Sequence, residues 1–443
     1  MLVDFSVENF MSFKDRQTIS FEPDTRVKGL EKYYFISIHD LNAKRKPLQL
    51  LKIGMIYGAN ASGKSNLLKA LDFFRQIVLK TKVEKNSPFS FAPFEMDYSR
   101  NSFFEVNFVS NQIKYNYKLE FNKDSIVYEE LSEYTYLTSN RKKCIYKRTT
   151  DEKKQLPHIV FEKNIKIKPL ILKQLNIVTL WNETVLAGFS KISVDIAPVK
   201  NVSDWFLNYL NILFPIQIPL DLFTTDLIED KKISKSDIVR ALQRADFNIS
   251  DFSMKSKISV DDYLQGVMAT YGDNFKFPIK VEVSEDLESS DLPQIIIRHK
   301  TQKKEFDLPY ILESEGTKRY LGLMGVLMYL SKNKEFMMID ELDMSLHPEL
   351  YEAFIISFLK NVNESQLLFT TQNREFLQKK HVLRKDALWI SNKRGDGSTE
   401  LYSFSDFGSS LIRNTTSIYN AYSMGKLGGR PNVASDLLFF VNK

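Results

Sequence analysis

Cysteine and long apolar runs are nearly absent from this chain of 443 residues. Cys144 is the only cysteine, which excludes an intramolecular disulfide framework and a cysteine-based zinc site and is typical of a reducing compartment. The longest apolar run, 320–330, is far shorter than the roughly 20 residues that cross a bilayer. The first residues show no basic stretch followed by an apolar run, so we expect no signal peptide. We therefore expect a cytoplasmic protein that does not span a membrane.

Charge of one sign is not in strong excess either. The chain has 61 Lys and Arg residues against 55 Asp and Glu residues, so its composition alone does not mark a nucleic-acid binder. The apolar fraction of 43% is that of a globular chain with a real core, which excludes a disordered or fibrous protein. The length predicts two or three packed units.

The order of strand and helix patterns indicates how the chain is organised. Alternating apolar residues predict strands, and apolar residues at helical spacing predict helices. By these signs the first part of the chain holds strands over 2–7, 17–21 and 50–57, a helix over 66–80 and an antiparallel meander over 103–136. We divide the chain into a first lobe (1–160), an inserted and mostly helical region (161–290) and a second lobe (291–443).

A phosphate-binding loop (P-loop) is predicted at 58–65, where the sequence reads Gly, four residues, Gly-Lys-Ser. The two glycines let backbone N–H groups turn toward a β-phosphate, and the following helix offers its positive N-terminal end. Lys64 would bridge the β- and γ-phosphates of ATP, and Ser65 would hold Mg²⁺. Because an apolar strand precedes the loop and a helix follows it, we prefer this function to a mere glycine turn. The nucleotide-binding residues assigned here are Gly58, Asn60, Ala61, Ser62, Gly63, Lys64, Ser65 and Asn66.

A buried strand that ends in two carboxylates is predicted at Phe336–Glu341. Carboxylates at this edge of a parallel sheet lie where α/β proteins bind their ligands. Asp340 would hold Mg²⁺, and Glu341 would orient the attacking water or take its proton. The pair alone could be a solvated strand end, but the P-loop makes it the expected partner of that loop.

A helix start with free donors is predicted at Ser314–Thr317. Ser314 is a credible N-cap, and Gly316 and Thr317 offer N–H and hydroxyl donors at the positive end of the helix. This arrangement suits a phosphate that arrives from outside, although by itself it is an ordinary helix cap.

These three features, in this order, resemble the nucleotide-binding head of ABC-type ATPases of the SMC, RecF and OLD branch. More narrowly, they resemble the prokaryotic AAA ATP-binding proteins of abortive-infection and other phage-defence systems. The segments that carry the resemblance are Asn9–Phe13, Tyr57–Ser65, Ser314–Arg319, Asp340–Pro348, Phe369–Asn373 and Asp396–Phe407. The resemblance implies an α/β P-loop NTPase of ABC-ATPase type, with a mixed sheet, an antiparallel β subdomain and a largely helical insertion.

The resemblance also implies how such a head works. Two heads would meet face to face with two ATP molecules between them, as a homodimer or a higher homo-oligomer. The signature residues Ser314, Gly316 and Thr317 of one head would bind the γ-phosphate held by Lys64 of the other, and Asp343 would couple the two sites. Heads of these families usually serve a separate nuclease, toxin or DNA-processing partner.

One residue departs from the pattern of the family. Gln372 follows the strand 367–371 at the place where these families normally have a histidine that senses the γ-phosphate. A glutamine can donate a hydrogen bond but cannot become cationic. We therefore assign Glu341 and Gln372 as the catalytic residues and expect slow hydrolysis.

Three functions stay open on the sequence alone. The leading one is an ATP-dependent switch that controls a separate effector in phage defence, since the five histidines form no metal-ligand spacing and no built-in nuclease is evident. The second is a DNA-repair head that loads on DNA, and the third is a scaffold that binds ATP without turnover. The basic residues that would contact DNA are Arg141, Lys142, Lys143, Lys147, Arg148, Lys163, Lys166 and Lys168.

Overall fold

The computed structural model describes residues 1–40, 45–82, 84–163, 165–194, 196–215, 220–245, 247–258, 292–407 and 418–430. The chain forms two compact units. The first unit comprises Met1–Ile216, Asn333–Leu342 and Leu359–Lys443, and the second comprises Gln217–Lys332 and Asp343–Phe358. The division at 160 and 290 stays a prediction, and its second boundary lies outside the described residues.

The described strands and helices follow one another along both units. In chain order the strands are β1 (Leu2–Glu8), β2 (Gln17–Ser20), β3 (Phe35–Ile38), β4 (Leu48–Leu51), β5 (Ile53–Tyr57), β6 (Ser102–Ser110), β7 (Ile113–Phe121), β8 (Ile126–Tyr134), β9 (Lys142–Asp151), β10 (Leu156–Phe161), β11 (Leu210–Phe214), β12 (Ile249–Ile258), β13 (Leu292–Lys300), β14 (Glu305–Pro309), β15 (Phe336–Ile339), β16 (Gln366–Thr371), β17 (Leu388–Lys393) and β18 (Thr399–Ser403). The helices are α1 (Glu31–Tyr34), α2 (Lys64–Leu79), α3 (Pro169–Val178), α4 (Val185–Phe189), α5 (Ala197–Asp204), α6 (Leu220–Glu229), α7 (Lys235–Arg244), α8 (Glu315–Lys332), α9 (Pro348–Asn361) and α10 (Ile418–Ser423).

A mixed sheet of six strands contains the strands that precede the P-loop, Asp340 and Gln372. Its strand order is β11-β15-β16-β5-β17-β18, and all neighbours are parallel except β17 and β18. β5, β15 and β16 are buried along their whole length, as expected for strands covered on both faces. Because the carboxyl ends of parallel strands meet at one edge, the residues after β5, β15 and β16 come together there.

An antiparallel sheet of seven strands forms the other large layer of the first unit, in the order β10-β9-β8-β7-β6-β1-β2. Helix α2 packs on it through Phe74, whose ring lies 5.2 to 5.9 Å from the rings of Phe5, Phe104, Tyr117 and Phe206. Such aromatic contacts add specific geometry to the burial of a large apolar area. The helix that starts at the P-loop is therefore fixed by this aromatic core.

A buried polar network, here called the Glu129 network, lies inside this antiparallel sheet. The Glu129 carboxylate accepts hydrogen bonds from the hydroxyls of Tyr117 (2.8 Å) and Tyr146 (2.7 Å) and from the N–H of Val185 (2.8 Å). Arg148 stands opposite Glu129 in the strand pairing and donates to the carbonyls of Ile126 (2.9 Å) and of residue 181 (2.8 Å). Burial raises the pKa of Glu129, while the charge of Arg148 opposes that rise.

The second unit combines helices with a three-stranded sheet of order β12-β13-β14. Helices α6 and α8 pack closely, and the Thr224 hydroxyl donates to the carbonyl of Gly322 (3.1 Å). A Cβ at Gly322 or Gly325 would collide with Leu220 or Thr224, respectively. The close packing therefore requires glycine on α8.

Several strands and helices predicted from the sequence can be compared with those of the structure. The strands at the N-terminus, the helix after the P-loop and the meander are confirmed as β1, β2, α2 and β6 to β8. The single strand predicted over 50–57 is wrong, because the chain forms two strands there. β4 pairs with β3, whereas β5 pairs with β16 and β17, so the chain changes sheets at Lys52. In the described part of the chain no helix is long and apolar enough to cross a bilayer.

Candidate functional site

The P-loop connects β5 to α2. Gly63 has a φ of 102° and caps the N-terminus of the helix, and Ala61 also lies in the left-handed region with a φ of 59°. The buried Lys64 side chain donates its Nζ to the carbonyls of Gly58 (2.9 Å) and Ala59 (3.0 Å) within the loop. The ammonium group is thus held over the loop, at the position from which it would reach a phosphate.

Hydroxyl groups from other elements form hydrogen bonds to the P-loop. The carbonyl of Ser62 accepts hydrogen bonds from Ser391 on β17 (2.8 Å) and from Thr399 on β18 (2.8 Å). The Ser12 hydroxyl accepts a hydrogen bond from the Asn66 amide (2.8 Å), and its oxygen lies 2.7 Å from the Thr399 hydroxyl oxygen. These bonds satisfy the Ser62 carbonyl and tie the P-loop to β17 and β18.

The glycines of the loop are required by the same contacts. A Cβ at Gly58 would collide with the carbonyl of Ser391, and one at Gly63 would collide with the hydroxyls of Thr399 and Ser12. The motif from Asn9 to Phe13 therefore has a physical role that its pattern did not reveal, because it supplies Ser12 to this contact.

Asp340 lies at the end of β15, beside the P-loop. Its Oδ1 accepts hydrogen bonds from Ser65 on α2 (3.0 Å) and from Thr370 on β16 (2.6 Å). The structure thus brings together Ser65 and Asp340, the two residues that the sequence assigned to a metal ion. Thr370 is a residue that the sequence analysis missed, and its only sequence signal is its place at the end of a buried strand.

Glu341 and Gln372 also meet at this edge of the sheet. The Gln372 side-chain amide donates to Glu341 Oε1 (3.1 Å), and the Glu341 N–H donates to the hydroxyl of Thr370 (2.7 Å). Glu341 has a φ of 45°, which is strained for a residue other than glycine and is typical of functional sites. The predicted catalytic pair is therefore one hydrogen-bonded unit.

A cavity of about 340 Å³ opens beside the first residues of the P-loop. Three of its lining residues escaped the sequence analysis: Arg374, Tyr422 and Arg430. The complete lining is Gly58, Ala59, Asn60, Gln372, Arg374, Tyr422 and Arg430. The available signals were weak, namely an arginine two residues after Gln372 and a Gly-Gly-Arg turn near the end of the described residues.

The remaining assigned residues lie in the second unit. Ser314 caps α8, since its hydroxyl accepts from the Thr317 N–H (3.1 Å) and lies 2.8 Å from the Thr317 hydroxyl. A Cβ at Gly316 would lie 2.9 Å from the carbonyl of Ser345, in the turn that begins with Asp343. The signature residues and Asp343 are thus neighbours within this unit, and their role toward a nucleotide stays a prediction.

The basic residues proposed to contact DNA are only partly available. Arg148 is fully buried and belongs to the Glu129 network, so its assignment to a DNA surface is wrong. Lys142 pairs with Glu105 (3.6 Å) and Lys147 with Glu130 (3.4 Å). The other basic residues of the set, 141, 143, 163, 166 and 168, are exposed.

The residues present fit a magnesium nucleotide. The Ser65 hydroxyl and the Asp340 carboxylate are hard oxygen ligands 3.0 Å apart. Mg²⁺ in nucleotide sites usually takes one or two such protein ligands and completes its shell with phosphates and water. Accordingly, the described residues hold no group of three or more His, Cys, Asp and Glu side chains placed for a metal ion. The Cβ positions of Gly58 and Gly63 are blocked, so neither position can hold a side chain, and loops of this sequence pattern bind phosphate through backbone N–H groups.

The fold and the site define an α/β P-loop nucleotide-binding protein. The sequence profile of the family described as "AAA domain, putative AbiEii toxin, Type IV TA system" matches residues 55–377, which is more than half of the chain. The chain belongs to this family. The resemblance to AAA ATP-binding proteins of abortive-infection systems is thereby confirmed, and so is the predicted α/β fold of ABC-ATPase type with its mixed and antiparallel sheets.

Two solved structures are similar to the chain over most of its length. The SMC head domain from Thermotoga maritima has 13% sequence identity and a TM-score of 0.37, with 91% of this chain and 98% of that chain covered. The SmcHead bound to the C-winged helix domain of ScpA has 12% identity and a TM-score of 0.41, with 91% and 97% covered. Both TM-scores are low, and no conclusion rests on these likenesses. No curated protein matches the chain.

Proposed function

We propose that this protein binds MgATP at the P-loop and hydrolyses it. The observation that carries the proposal is the continuous set of hydrogen bonds from Ser65 through Asp340 and Thr370 to Glu341 and Gln372. It links the residues expected to hold the metal with those expected to act on water, at the carboxyl edge of a parallel sheet.

Each residue has a distinct task in this proposal. Lys64 would exchange its bonds to the loop carbonyls for bonds to the β- and γ-phosphates. Ser65 and Asp340 would hold Mg²⁺, which when bound neutralises charge on the β- and γ-phosphates. Glu341 would accept a proton from the attacking water, while the Gln372 amide holds the Glu341 carboxylate in place. Because Gln372 stays neutral, we expect slow turnover.

We further propose that ATP joins two copies of the chain and that this assembly controls a separate effector, a nuclease or toxin, in defence against phage. The support is the family of the chain, together with a capped helix start in the second unit that offers N–H and hydroxyl donors at Ser314, Gly316 and Thr317. In this arrangement the nucleotide serves as a clamp between the two copies. Slow turnover would lengthen the lifetime of the clamp.

Phosphate release and nucleotide binding by the purified protein test the first proposal. Lys64→Ala is expected to weaken MgATP binding at least about 100-fold, because two charge-assisted phosphate contacts disappear. Glu341→Gln is expected to bind MgATP as well as the unchanged protein and to lower turnover about 100-fold or more. Glu364→Gln, at an exposed position, is the matched control and should change neither quantity.

The outcomes separate the competing functions. Binding without phosphate release from the unchanged protein would favour the scaffold over the enzyme. Absence of any MgATP binding would refute the proposed function altogether. A DNA-loading head would instead show ATP-dependent DNA binding that falls steeply with salt.

The dimer is tested by light scattering on the Glu341→Gln protein. Its mass is expected to double with MgATP and to stay unchanged with MgADP. Ser314→Asp keeps an N-cap but places a carboxylate where the γ-phosphate of a second copy would bind, so it should prevent the doubling without loss of MgATP binding. Ser314→Thr is the control that keeps the hydroxyl, and a monomer in every condition would contradict the proposal.

A further inference from the structure

Two arginines line the cavity beside the P-loop. Arg374 and Arg430 line the cavity that also contacts Gly58, Asn60 and Gln372. Gln372 bonds to Glu341, the residue expected to act on water, so this cavity lies at the reacting end of the site. In a nucleoside triphosphate, that end carries the terminal phosphate.

Arg430 belongs to a segment that is fixed against the P-loop. The Gly429 N–H donates to Asn392 (3.0 Å), and the Tyr422 hydroxyl donates to the Gly429 carbonyl (3.0 Å). Gly429 has a φ of 66°, and a Cβ there would lie 2.7 Å from the Ile390 side chain, so this position requires glycine. The same Cβ would lie 3.6 Å from the Cα of Gly58, so the turn lies in contact with the loop. The guanidinium of Arg430 donates to the Ser423 carbonyl, which holds its side chain along α10.

Both arginine charges act on Tyr422, which lines the same cavity. Burial raises the pKa of Tyr422, and the charges of Arg374 and Arg430 oppose that rise. The part of the chain that the structure describes offers neither arginine an ion-pair partner. Two like charges on one cavity repel each other unless an anion lies between them.

The charge balance of the site suggests which anion that is. Beside the metal and the Lys64 ammonium, phosphoryl-transfer sites commonly place a further cation on the terminal phosphate, and Gln372 adds no positive charge. A guanidinium can bind phosphate with two parallel N–H bonds, which gives geometric as well as electrostatic selectivity. Arg374 and Arg430 are thus placed to supply the charge that Gln372 lacks.

We propose that Arg374 and Arg430 bind the terminal phosphate of the nucleotide held by the same chain and thereby distinguish nucleoside triphosphate from diphosphate. The inference rests on the proposed function, because it concerns the same nucleotide. It makes the two arginines specificity-determining residues and gives the segment 418–430 a role in sensing whether the triphosphate is present.

Calorimetry with MgATP and MgADP tests the inference. In the Arg374→Ala, Arg430→Ala double variant, MgATP affinity is expected to fall about 100-fold and MgADP affinity less than about threefold. The double lysine variant keeps both positive charges but loses the planar guanidinium groups that form two parallel N–H bonds to phosphate. It should therefore recover part of the preference for ATP. Arg100→Ala is the matched control, since it removes an exposed arginine near Glu8 in the antiparallel sheet.

The outcomes distinguish this inference from the proposed function. If the unchanged protein binds no nucleotide, the proposed function fails and this inference fails with it. If the unchanged protein prefers ATP and the double variant keeps the same ratio of ATP to ADP affinity, only this inference is overturned. An equal loss for both nucleotides also overturns it. The unfolding midpoints of all variants show whether a loss of binding follows from a loss of fold. If the double alanine variant does not fold, the ratio of ATP to ADP affinity in the double lysine variant decides instead.

Discussion

The nucleotide site and the Glu129 network are both rich in buried polar groups, yet they differ in what those groups contact. Glu129 is fully buried, and protein donors reach both of its oxygens. Lys64, by contrast, bonds to carbonyls of its own loop, beside a cavity of about 340 Å³. Buried polarity is therefore not by itself a sign of function. Groups that can exchange their partners beside a cavity are the better sign.

The largest expected effect tests how much the Glu129 network contributes to the free energy of unfolding. Glu129→Ala removes the acceptor of two tyrosine hydroxyls and one backbone N–H and leaves Arg148 buried without the opposing charge. Breaking such a network costs about 3–5 kcal/mol of unfolding free energy. Urea unfolding measures the loss, and the protein that remains folded should bind MgATP unchanged.

Glu133→Ala is the control for this prediction. It lies on the same strand, β8, but is partly exposed, so its effect should stay below about 1 kcal/mol. A similar loss for both variants would mean that the network is not a special source of stability. Loss of MgATP binding by folded Glu129→Ala protein would show that the two regions are coupled.

The second effect concerns the close packing of the P-loop. Gly63→Ala must place a Cβ at a φ of 102° and against the hydroxyls of Thr399 and Ser12. We expect a loss of about 3 kcal/mol and at least a tenfold loss of MgATP affinity, because both backbone strain and overpacking act there. Gly397→Ala has a φ of 82° but open space around its Cβ, so it should cost about 1 kcal/mol and leave binding unchanged.

Equal effects of the two alanine variants would contradict this prediction, since backbone strain alone would then explain both. A Gly63→Ala protein that binds MgATP normally would show that the loop does not depend on its contact with β18. The measurements are urea unfolding for stability and calorimetry for binding.

The same contrast explains how much could be predicted from the sequence. The P-loop, the acidic strand and the Ser314 cap were predictable because a few consecutive residues define each of them. Arg374 and Arg430 could not be found in this way, because tertiary contacts bring them to the loop from distant parts of the chain. Supporting hydroxyls such as Thr399 likewise have no local signature.

The errors have similar causes. Arg148 looked like part of an exposed basic run, but Tyr146 and Arg148 are two residues apart on β9 and so share its inward face. The strand predicted over 50–57 is two strands because its halves pair in different sheets, which no local pattern encodes. Sequence patterns thus predicted the elements better than their partners.

The smallest expected effect concerns Asp4, a half-buried carboxyl of the antiparallel sheet that has fewer donors than Glu129. Asn107 donates to it (2.7 Å), but burial raises its pKa to about 6, further helped by the charge of Glu22. Because the folded protein holds this proton more tightly than the unfolded chain, the stabilising contribution is present at low pH and is lost as the pH rises through about 6. The unfolding free energy should fall by about 1–2 kcal/mol from pH 5 to pH 8 on account of Asp4.

Asp4→Asn removes this titration and should flatten that part of the profile, so the variant gains stability relative to the unchanged protein as the pH rises. Urea unfolding at several pH values measures the difference between the two proteins, in which the other titrating groups largely cancel. Glu22 and Lys114 face the same carboxyl, so their own titration must be checked in the variant. Identical profiles would mean that the Asp4 carboxyl has the same pKa in the folded and the unfolded protein, which would contradict this prediction.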